Sequence, residues 1–539
     1  MFKVGPEPLT AGKAQEYHVK EFIAAEKNYW KEHEQIPTAW QGKLVDTFGL
    51  KGDVQASQFS LLSEGQHPVT GQQLIQHRDG KEYTNAEGES VKPVEHRAGW
   101  DSTFSAPKSV SLTALVGGDN RVREAHREAV SIALTELERY TQARMGGNRP
   151  AETTGRFLAA KFEHDTARPV DGYAAPQLHT HAVIFNMTTR EDGSFRALQS
   201  HSYYASQQFA TAVYQAELMY RLRNLGYEIH AGKSGAPEIK GYTQEYLDAS
   251  SLRRQKIEEE MAKRGQSGPE AAQFAAFTTR DRKQHLGPKE TLAAHRKLAE
   301  EYGNQPEKVI AAAQERAQLR GQEQAQKPDE QQQRVRESVS FAKARNFERE
   351  AINDDRGIMR DALRRGMGDV TYAEIRENFR RREATGEFLK VDSPRHYAGQ
   401  RYTTRDMLQA ERSNIEFMKL GQAVVASIMS AKSARSHAAE QERLNPAQRR
   451  VVEEVLTTTD RVHGLQGYAG SGKTESLRTI RAGAEAEGFA VEGFAPTNRA
   501  AHQLRDAGIN AETLQRFLAR GANRRDCGRS HQPSPLHGR

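Results

Sequence analysis

The segment Gln177-Leu-His-Thr-His181 places two imidazoles two residues apart inside a run, Leu178 to Phe185, that reads as a β-strand. Alternation along a strand sends His179 and His181 to the same face of a sheet. A third histidine, His164, closes an earlier strand-like run, Phe157 to Glu163, and hairpin-like pairing of the two runs brings it beside the pair. Three convergent imidazoles can hold a divalent metal and leave coordination positions open for a substrate. The pattern alone does not decide the matter. The chain has 19 histidines, and a His-X-His pair is as readily structural as metal-binding.

The elements that must position these residues belong to a chain of 539 residues, long enough for roughly three or four domains. No run of about 18 apolar residues occurs, so no membrane insertion is expected. Met1 to Thr10 has no apolar segment after a basic start, and Cys527 is the only cysteine. Disulfides within the chain are excluded, and a cytoplasmic location is expected. A net charge of +7 points to a polyanionic partner, with nucleic acid the leading candidate.

Composition divides the chain into a strand-containing first part, residues 1–305, and a helical, Gln-rich linker, 306–345. Within the linker, Gly321 to Ser338 has almost no apolar residues and is expected to bury no core. A small helical domain, 346–440, follows. Its helix starts are marked by a capping box, Thr371-Tyr-Ala-Glu374, and by Thr403 and Thr404 ahead of Asp406. Short helices followed by an extended piece, Glu387 to Tyr402, resemble a winged-helix arrangement. The first part of a P-loop domain spans 441–520, and 521–539 reads as a disordered polar tail.

Gly467-Tyr-Ala-Gly-Ser-Gly-Lys-Thr474 fits a phosphate-binding loop, between an apolar run, Val462 to Leu465, and a helical segment, Glu475 to Ala484. Gly467, Gly470 and Gly472 let backbone amides wrap a β-phosphate. Lys473 supplies charge, and Thr474 can ligate magnesium, so ATP is the expected ligand. Another strand-like run, Ala490 to Phe494, leads into Ala495-Pro-Thr-Asn-Arg-Ala-Ala-His502, which resembles the single-strand-contacting motif of superfamily one helicases. Leu444-Asn-Pro-Ala-Gln448 resembles their glutamine motif, which would assign Gln448 to adenine. A motor also needs an acidic strand end and an arginine finger. The 66 residues after Lys473 contain no apolar strand ending in Asp-Glu, so the region is expected to be a truncated helicase start.

Near the chain start, Tyr17 falls on an expected helix, Ala11 to Ala25. A phenol, with a pKa of about 10, is a poor nucleophile at neutral pH unless a base or metal assists it. Gly99-Trp-Asp101, ahead of Ser-Thr-Phe-Ser-Ala-Pro-Lys-Ser-Val-Ser111, offers such a base in Asp101. The strand expected after it would turn Phe104 and Lys108 toward substrate, with Lys108 a phosphate contact. The helix Tyr203 to Leu225 reads as core and surface rather than a binding element.

Taken together, Gly12-Lys-Ala-Gln-Glu-Tyr17, Trp40-Gln-Gly42, Gly99 to Ser111, Phe162-Glu-His-Asp-Thr166 and Gln177 to His181 resemble the conjugative relaxases of the TrwC/TraI type. The resemblance runs more loosely through Gly368-Asp-Val-Thr371 and Arg401-Tyr-Thr-Thr404 to the helicase start. It implies an α+β fold with a five-stranded antiparallel sheet, surrounding helices and the active site on the sheet surface. The implied reaction is transesterification on one DNA strand at an origin of transfer. Tyr17 would form a 5′-phosphotyrosyl link, and a magnesium or manganese ion on His164, His179 and His181 would bind phosphate oxygens. Asp101 would accept a proton or fix a histidine tautomer. Accessory nicking proteins and a coupling ATPase are the implied partners beside single-stranded DNA.

This chain departs from the family pattern at His18, where a second tyrosine often stands. Tyr29 is the candidate for the later tyrosine, against an ordinary role as a packing aromatic. The loop Arg168 to Pro176 looks longer than usual. Two other readings remain: a metal-dependent single-strand nuclease or replication initiator using activated water or the same tyrosine, and a fragment of an ATP-dependent helicase.

Overall fold

The computed structural model describes residues 1–17, 37–76, 83–84, 90–91, 96–232, 236–279, 287–323, 328–394, 397–468 and 471–520. They form two compact units, Met1–Met407 and Leu408–Arg539.

The first unit is built on an antiparallel sheet in the order Phe2–Val4, Arg97–Ser105, Pro176–Phe185, Ala159–Thr166, Thr38–Gln41. A two-residue strand, Leu9–Thr10, pairs additionally with Arg97–Ser105. Period-two alternation assigns the faces. Leu178, Ala182 and Ile184 join Phe104 and pack on helices Asn120–Glu138 and His201–Asn224 through Val122, Leu134, Leu137, Phe209 and Val213. Each of these side chains other than that of Ala182 contributes about 1.5–3 kcal/mol by leaving water. The opposite face sends Phe162, Val183 and Phe185 against Ala14, Phe59 and Leu62. Asp119 caps the helix Asn120–Glu138 by accepting from Arg121 N at 3.0 Å. At Gly99 the neighbouring strand comes so close that a Cβ would lie 2.1 Å from the Ile184 carbonyl oxygen.

The same unit continues through the helix Pro328–Asn346, strand Asn353–Asp354, helices Asp355–Arg365 and Tyr372–Ala384, and strands Phe388–Val391 and Arg401–Thr404. The three strands form one sheet with Arg401–Thr404 in the middle. The capping box at Thr371 is present, with Glu374 N donating to Thr371 Oγ1 and Thr371 N to Glu374 Oε2. Thr404 Oγ1 accepts from Met407 N at 3.2 Å at the start of helix Arg405–Leu420.

The expected coreless linker is corrected here. Val335, inside the segment expected to bury no core, and Val339 and Ala342 just beyond it on the helix Pro328–Asn346, are buried in the same apolar core as Phe104 and Phe209. Three apolar positions spaced four and three apart make a stripe on one helix face, which overall composition does not reveal. The break between the two compact units falls at Met407.

The second unit contains helices Ala431–Ala439, Pro446–Thr457, Lys473–Ala486, Asn498–Asp506 and Leu514–Ala519. Strands Glu492–Ala495 and Asn510–Thr513 pair in parallel across the helix Asn498–Asp506. Among the described residues the apolar run Val462 to Leu465 joins no strand, and Val462 and Leu465 are each 38% exposed. The expected tail, 521–539, lies outside the described residues. No described helix is long and apolar enough to cross a membrane.

Candidate active site

Strand pairing brings the three histidines together. His179 stands opposite His164 in the register between Pro176–Phe185 and Ala159–Thr166, and His181 shares its face two residues on. Ring centroids are 5.3 Å apart for His164 and His179, 5.2 Å for His164 and His181, and 5.1 Å for His179 and His181. Imidazoles bound to one ion through nitrogens at 2.0–2.1 Å stand with centroids roughly 5 Å apart. His164 is 4% exposed, whereas the side chains of His181 and Asp101 are 16% and 18% exposed. The cluster is thus closed at one end and open at the other.

Two hydrogen bonds orient the outer rings. His181 Nδ1 lies 2.9 Å from both carboxylate oxygens of Asp101, on the adjacent strand Arg97–Ser105. His179 Nδ1 lies 2.8 Å from the Gln177 carbonyl oxygen. Both partners only accept, so Nδ1 carries the proton in each ring and Nε2 presents a lone pair. The donor set therefore fits a divalent metal in its chemistry and spacing. The rings have the spacing but not the convergence of an occupied cage: among the described residues no three His, Cys, Asp or Glu side chains are closed around an ion-sized point.

The back of the sheet carries a polar support that the sequence reading missed. Glu163 and Asp165 flank His164 and point to the opposite face, where Arg123 bonds them at 2.8 and 2.9 Å and Arg127 adds a bond to Glu163 at 2.6 Å. Burial opposes the Arg123 charge, but Asp165 and Glu163 raise its affinity for the proton above the usual guanidinium range. The signal was present in Phe162-Glu-His-Asp-Thr166, because carboxylates on either side of a strand histidine must find cations behind the sheet. Buried His126 spans this layer, with Nδ1 2.8 Å from the Tyr214 hydroxyl and Nε2 2.9 Å from that of Thr180.

Tyr17 closes the helix Ala11–Tyr17, which packs through Ala14 onto the sheet face bearing the histidines. Tyr29 lies outside the described residues. Two expectations are corrected. Phe104 is fully buried in the core. Lys108 begins a helix, Lys108–Ser111, rather than continuing the strand. Its Nζ donates to the Pro176 carbonyl at 2.7 Å, and burial, against the nearby charge of Glu238, lowers it to about 7. It is a partly buried tie to the segment entering the histidine strand.

In the second unit Gly472 adopts φ +74° at the start of the helix Lys473–Ala486, whose first turn includes Thr474. Lys473 Nζ donates to the Gly467 and Tyr468 carbonyls, each at 2.7 Å. Gly470 lies outside the described residues. Gln448 closes a capping box with Asn445, and its Nε2 donates to the Ser471 carbonyl at 3.0 Å. Its amide is engaged by the phosphate loop rather than open to a base.

The TrwC relaxase family matches residues 11–302, more than half of the chain and the span holding Tyr17, Asp101 and all three histidines. The chain belongs to the TrwC relaxase family. An AAA domain family matches residues 443–533, around the phosphate loop. Among curated proteins similar to this TrwC-family chain, the multifunctional conjugation protein TraI of Escherichia coli is 34% identical over 295 residues, 52% of this chain and 16% of the relative. TraI of Escherichia coli strain K12 is 34% identical over 293 residues, 52% of this chain and 15% of the relative. The match thus spans less than a fifth of the length of these relatives. Among solved structures, the metal-bound conjugative relaxase TrwC in complex with oriT DNA is 34% identical, covering 56% of this chain and 99% of that one, with a TM-score of 0.46. A copper-bound complex of TrwC with oriT DNA has the same identity and coverage and a TM-score of 0.47.

Proposed function

We propose that this TrwC-family relaxase nicks one strand of DNA at an origin of transfer and becomes joined to it through Tyr17. The observation that carries this reading is the cluster of His164, His179 and His181, oriented by Asp101, on the sheet face where the Tyr17 helix packs. The Tyr17 oxygen would attack the scissile phosphorus as the phenol loses its proton. The bond from phosphorus to the 3′ oxygen would break, leaving a 5′-phosphotyrosyl link and a 3′ hydroxyl that takes up a proton. No bond energy is lost, so rejoining needs no ATP.

Asp101 is supported as a positioning group, because both its oxygens face His181 Nδ1 and hold the tautomer. A divalent ion on the three Nε2 atoms, with magnesium or manganese the finer proposal, would supply Lewis-acid stabilisation of charge on the phosphate oxygens. A metal is supported also by the metal-bound TrwC structures. ATP at Gly467–Thr474 belongs to the same reading. The Lys473 ammonium would leave the Gly467 and Tyr468 carbonyls to meet phosphate. Single-stranded DNA is the partner, in the cytoplasm, with accessory nicking proteins and a coupling ATPase beside it.

The test uses a single-stranded origin oligonucleotide labelled at its 3′ end. Under denaturing electrophoresis the label should run with the protein, while the released 5′ fragment should be extendable by a polymerase. If both fragments run free of protein, water is the nucleophile and the protein is a metal nuclease.

A further inference from the structure

The sheet register sets a row of side chains beside the histidine cluster. Lys3, on the edge strand Phe2–Val4, pairs with Thr103 of the strand Arg97–Ser105, and Thr103 pairs with His181. Directly paired residues share a face, so Lys3 and Thr103 stand on the histidine side of the sheet. Burial agrees: Phe2 and Val4 enter the core with Phe104, whereas Lys3 between them is exposed. Neighbouring strands lie about 4.8 Å apart, which puts the Lys3 backbone about 10 Å from that of His181. The flexible four-carbon stem lets the ammonium cover the ground between.

The face is arranged to receive an anion there. Period-two alternation turns Glu163 and Asp165 to the opposite side, where Arg123 answers both. Asp101 is on the histidine face, but both its oxygens are engaged by His181 Nδ1. Lys3 forms no ion pair with the described residues. Thr103 Oγ1 lies 3.5 Å from His181 Nδ1. That nitrogen already carries its proton toward Asp101, so the Thr103 hydroxyl hydrogen is left for another acceptor. Ser105, opposite His179 in the register, adds a second half-buried hydroxyl on the same face. A point charge beside hydroxyl donors suits a phosphate diester, and such contacts fix the register of a strand without reading its bases.

We propose that Lys3 and Thr103 bind the phosphate next to the scissile one, and so help set which linkage of the strand lies at His164, His179 and His181. This rests on the reading of the chain as one that acts on single-stranded DNA. Every linkage of such a strand carries a negative charge, so a phosphate held at the histidines brings its neighbour within reach of a cation two strands along the sheet. The Lys3 ammonium touches substrate but none of the reacting atoms.

The test compares the full chain with Lys3→Gln and Lys3→Arg, changes at an exposed position that leave Phe2 and Val4 in the core. Binding to the single-stranded origin oligonucleotide is read by fluorescence anisotropy, in EDTA so that no strand is cut. Lys3→Gln should bind about five-fold more weakly, with a slope of log K against log salt shallower by about 0.7, the value of one single-strand phosphate contact. Lys3→Arg should keep both. Uncharged methylphosphonate linkages, placed one at a time, should weaken the unmodified chain at the linkage next to the cleaved one and leave Lys3→Gln no weaker at that linkage. Equal affinity and slope in Lys3→Gln, or a methylphosphonate loss as large in Lys3→Gln as in the unmodified chain at every linkage, would overturn the proposal. Adduct formation with metal restored reports separately on Tyr17. An oligonucleotide bound with the Lys3 effect intact yet never joined to the unmodified chain would count against strand transfer and leave the phosphate contact standing.

Discussion

Asp101 holds His181 from the neighbouring strand, with both carboxylate oxygens 2.9 Å from Nδ1. Val183, two residues beyond His181, is the residue paired with Asp101 in the register, so the carboxylate and the imidazole share a face and meet on a diagonal between strands. The ring is thereby fixed with Nδ1 on the carboxylate.

Asp101→Asn should weaken metal binding by about 10- to 100-fold, the usual effect of losing a carboxylate behind a metal-binding histidine. Isothermal titration with manganese measures it. Affinity equal to that of the unmodified chain would show that the carboxylate does not orient the ring.

Metal should stabilise the first unit without any DNA present. At one hundred times its dissociation constant a ligand bound only by the folded state adds about 2.7 kcal/mol, and the midpoint of thermal unfolding should rise accordingly. His179→Ala should abolish the rise, since one of three donors is gone. A rise retained in that variant would place the ion elsewhere.

How much of this was legible in the sequence differs residue by residue. Alternation in Leu178 to Phe185 disclosed the strand and the shared face of His179 and His181, and the pairing with His164 followed from hairpin-like order. The capping box at Thr371 was equally local, needing only a four-residue pattern. Lys108 was not legible in this way. A lysine among small residues reads as surface until Glu238, 130 residues away in sequence, is found packed nearby with its carboxylate bonded to Ser109. The helix Pro328–Asn346 misled for the opposite reason, because its Gln-rich composition hides the spacing of Val335, Val339 and Ala342. Gln448 resembled a base-reading residue, yet the nearest acceptors in the fold are the carbonyls of the loop it precedes. Local periodicity carries secondary structure, whereas the fate of a polar side chain depends on what arrives from elsewhere in the chain.

Acid should destabilise the first unit through two buried histidines. Burial, and then the positive chain terminus, holds His126 well below the ordinary imidazole range. His295 is lowered to about 4, chiefly by burial. Both are neutral in the folded chain, whereas the unfolded chain protonates them near pH 6.5. The unfolded state thus binds more protons as pH falls below about 6.5, and stability declines over the interval from there toward pH 4. Chemical denaturation at a series of pH values should show a shallower decline in His126→Gln and in His295→Gln. An unchanged slope in both would contradict the assignment.

Gly99→Ala should destabilise the catalytic sheet by about 1–3 kcal/mol, the range for overpacking a close-packed site. The added carbon would meet the Ile184 carbonyl oxygen at 2.1 Å, and backbone cannot rotate away as a side chain can. Urea denaturation measures the change. A variant as stable as the unmodified chain would show that the two strands can separate locally at no cost.

The central claim is that Tyr17 joins DNA beside the histidine cluster. Proteolysis of the denatured adduct, followed by mass spectrometry of the DNA-linked peptide, tests it most directly. The account predicts a nucleotide remnant on Tyr17 and no adduct from Tyr17→Phe. A remnant on another residue, or strand cleavage of equal yield in Tyr17→Phe, would contradict it.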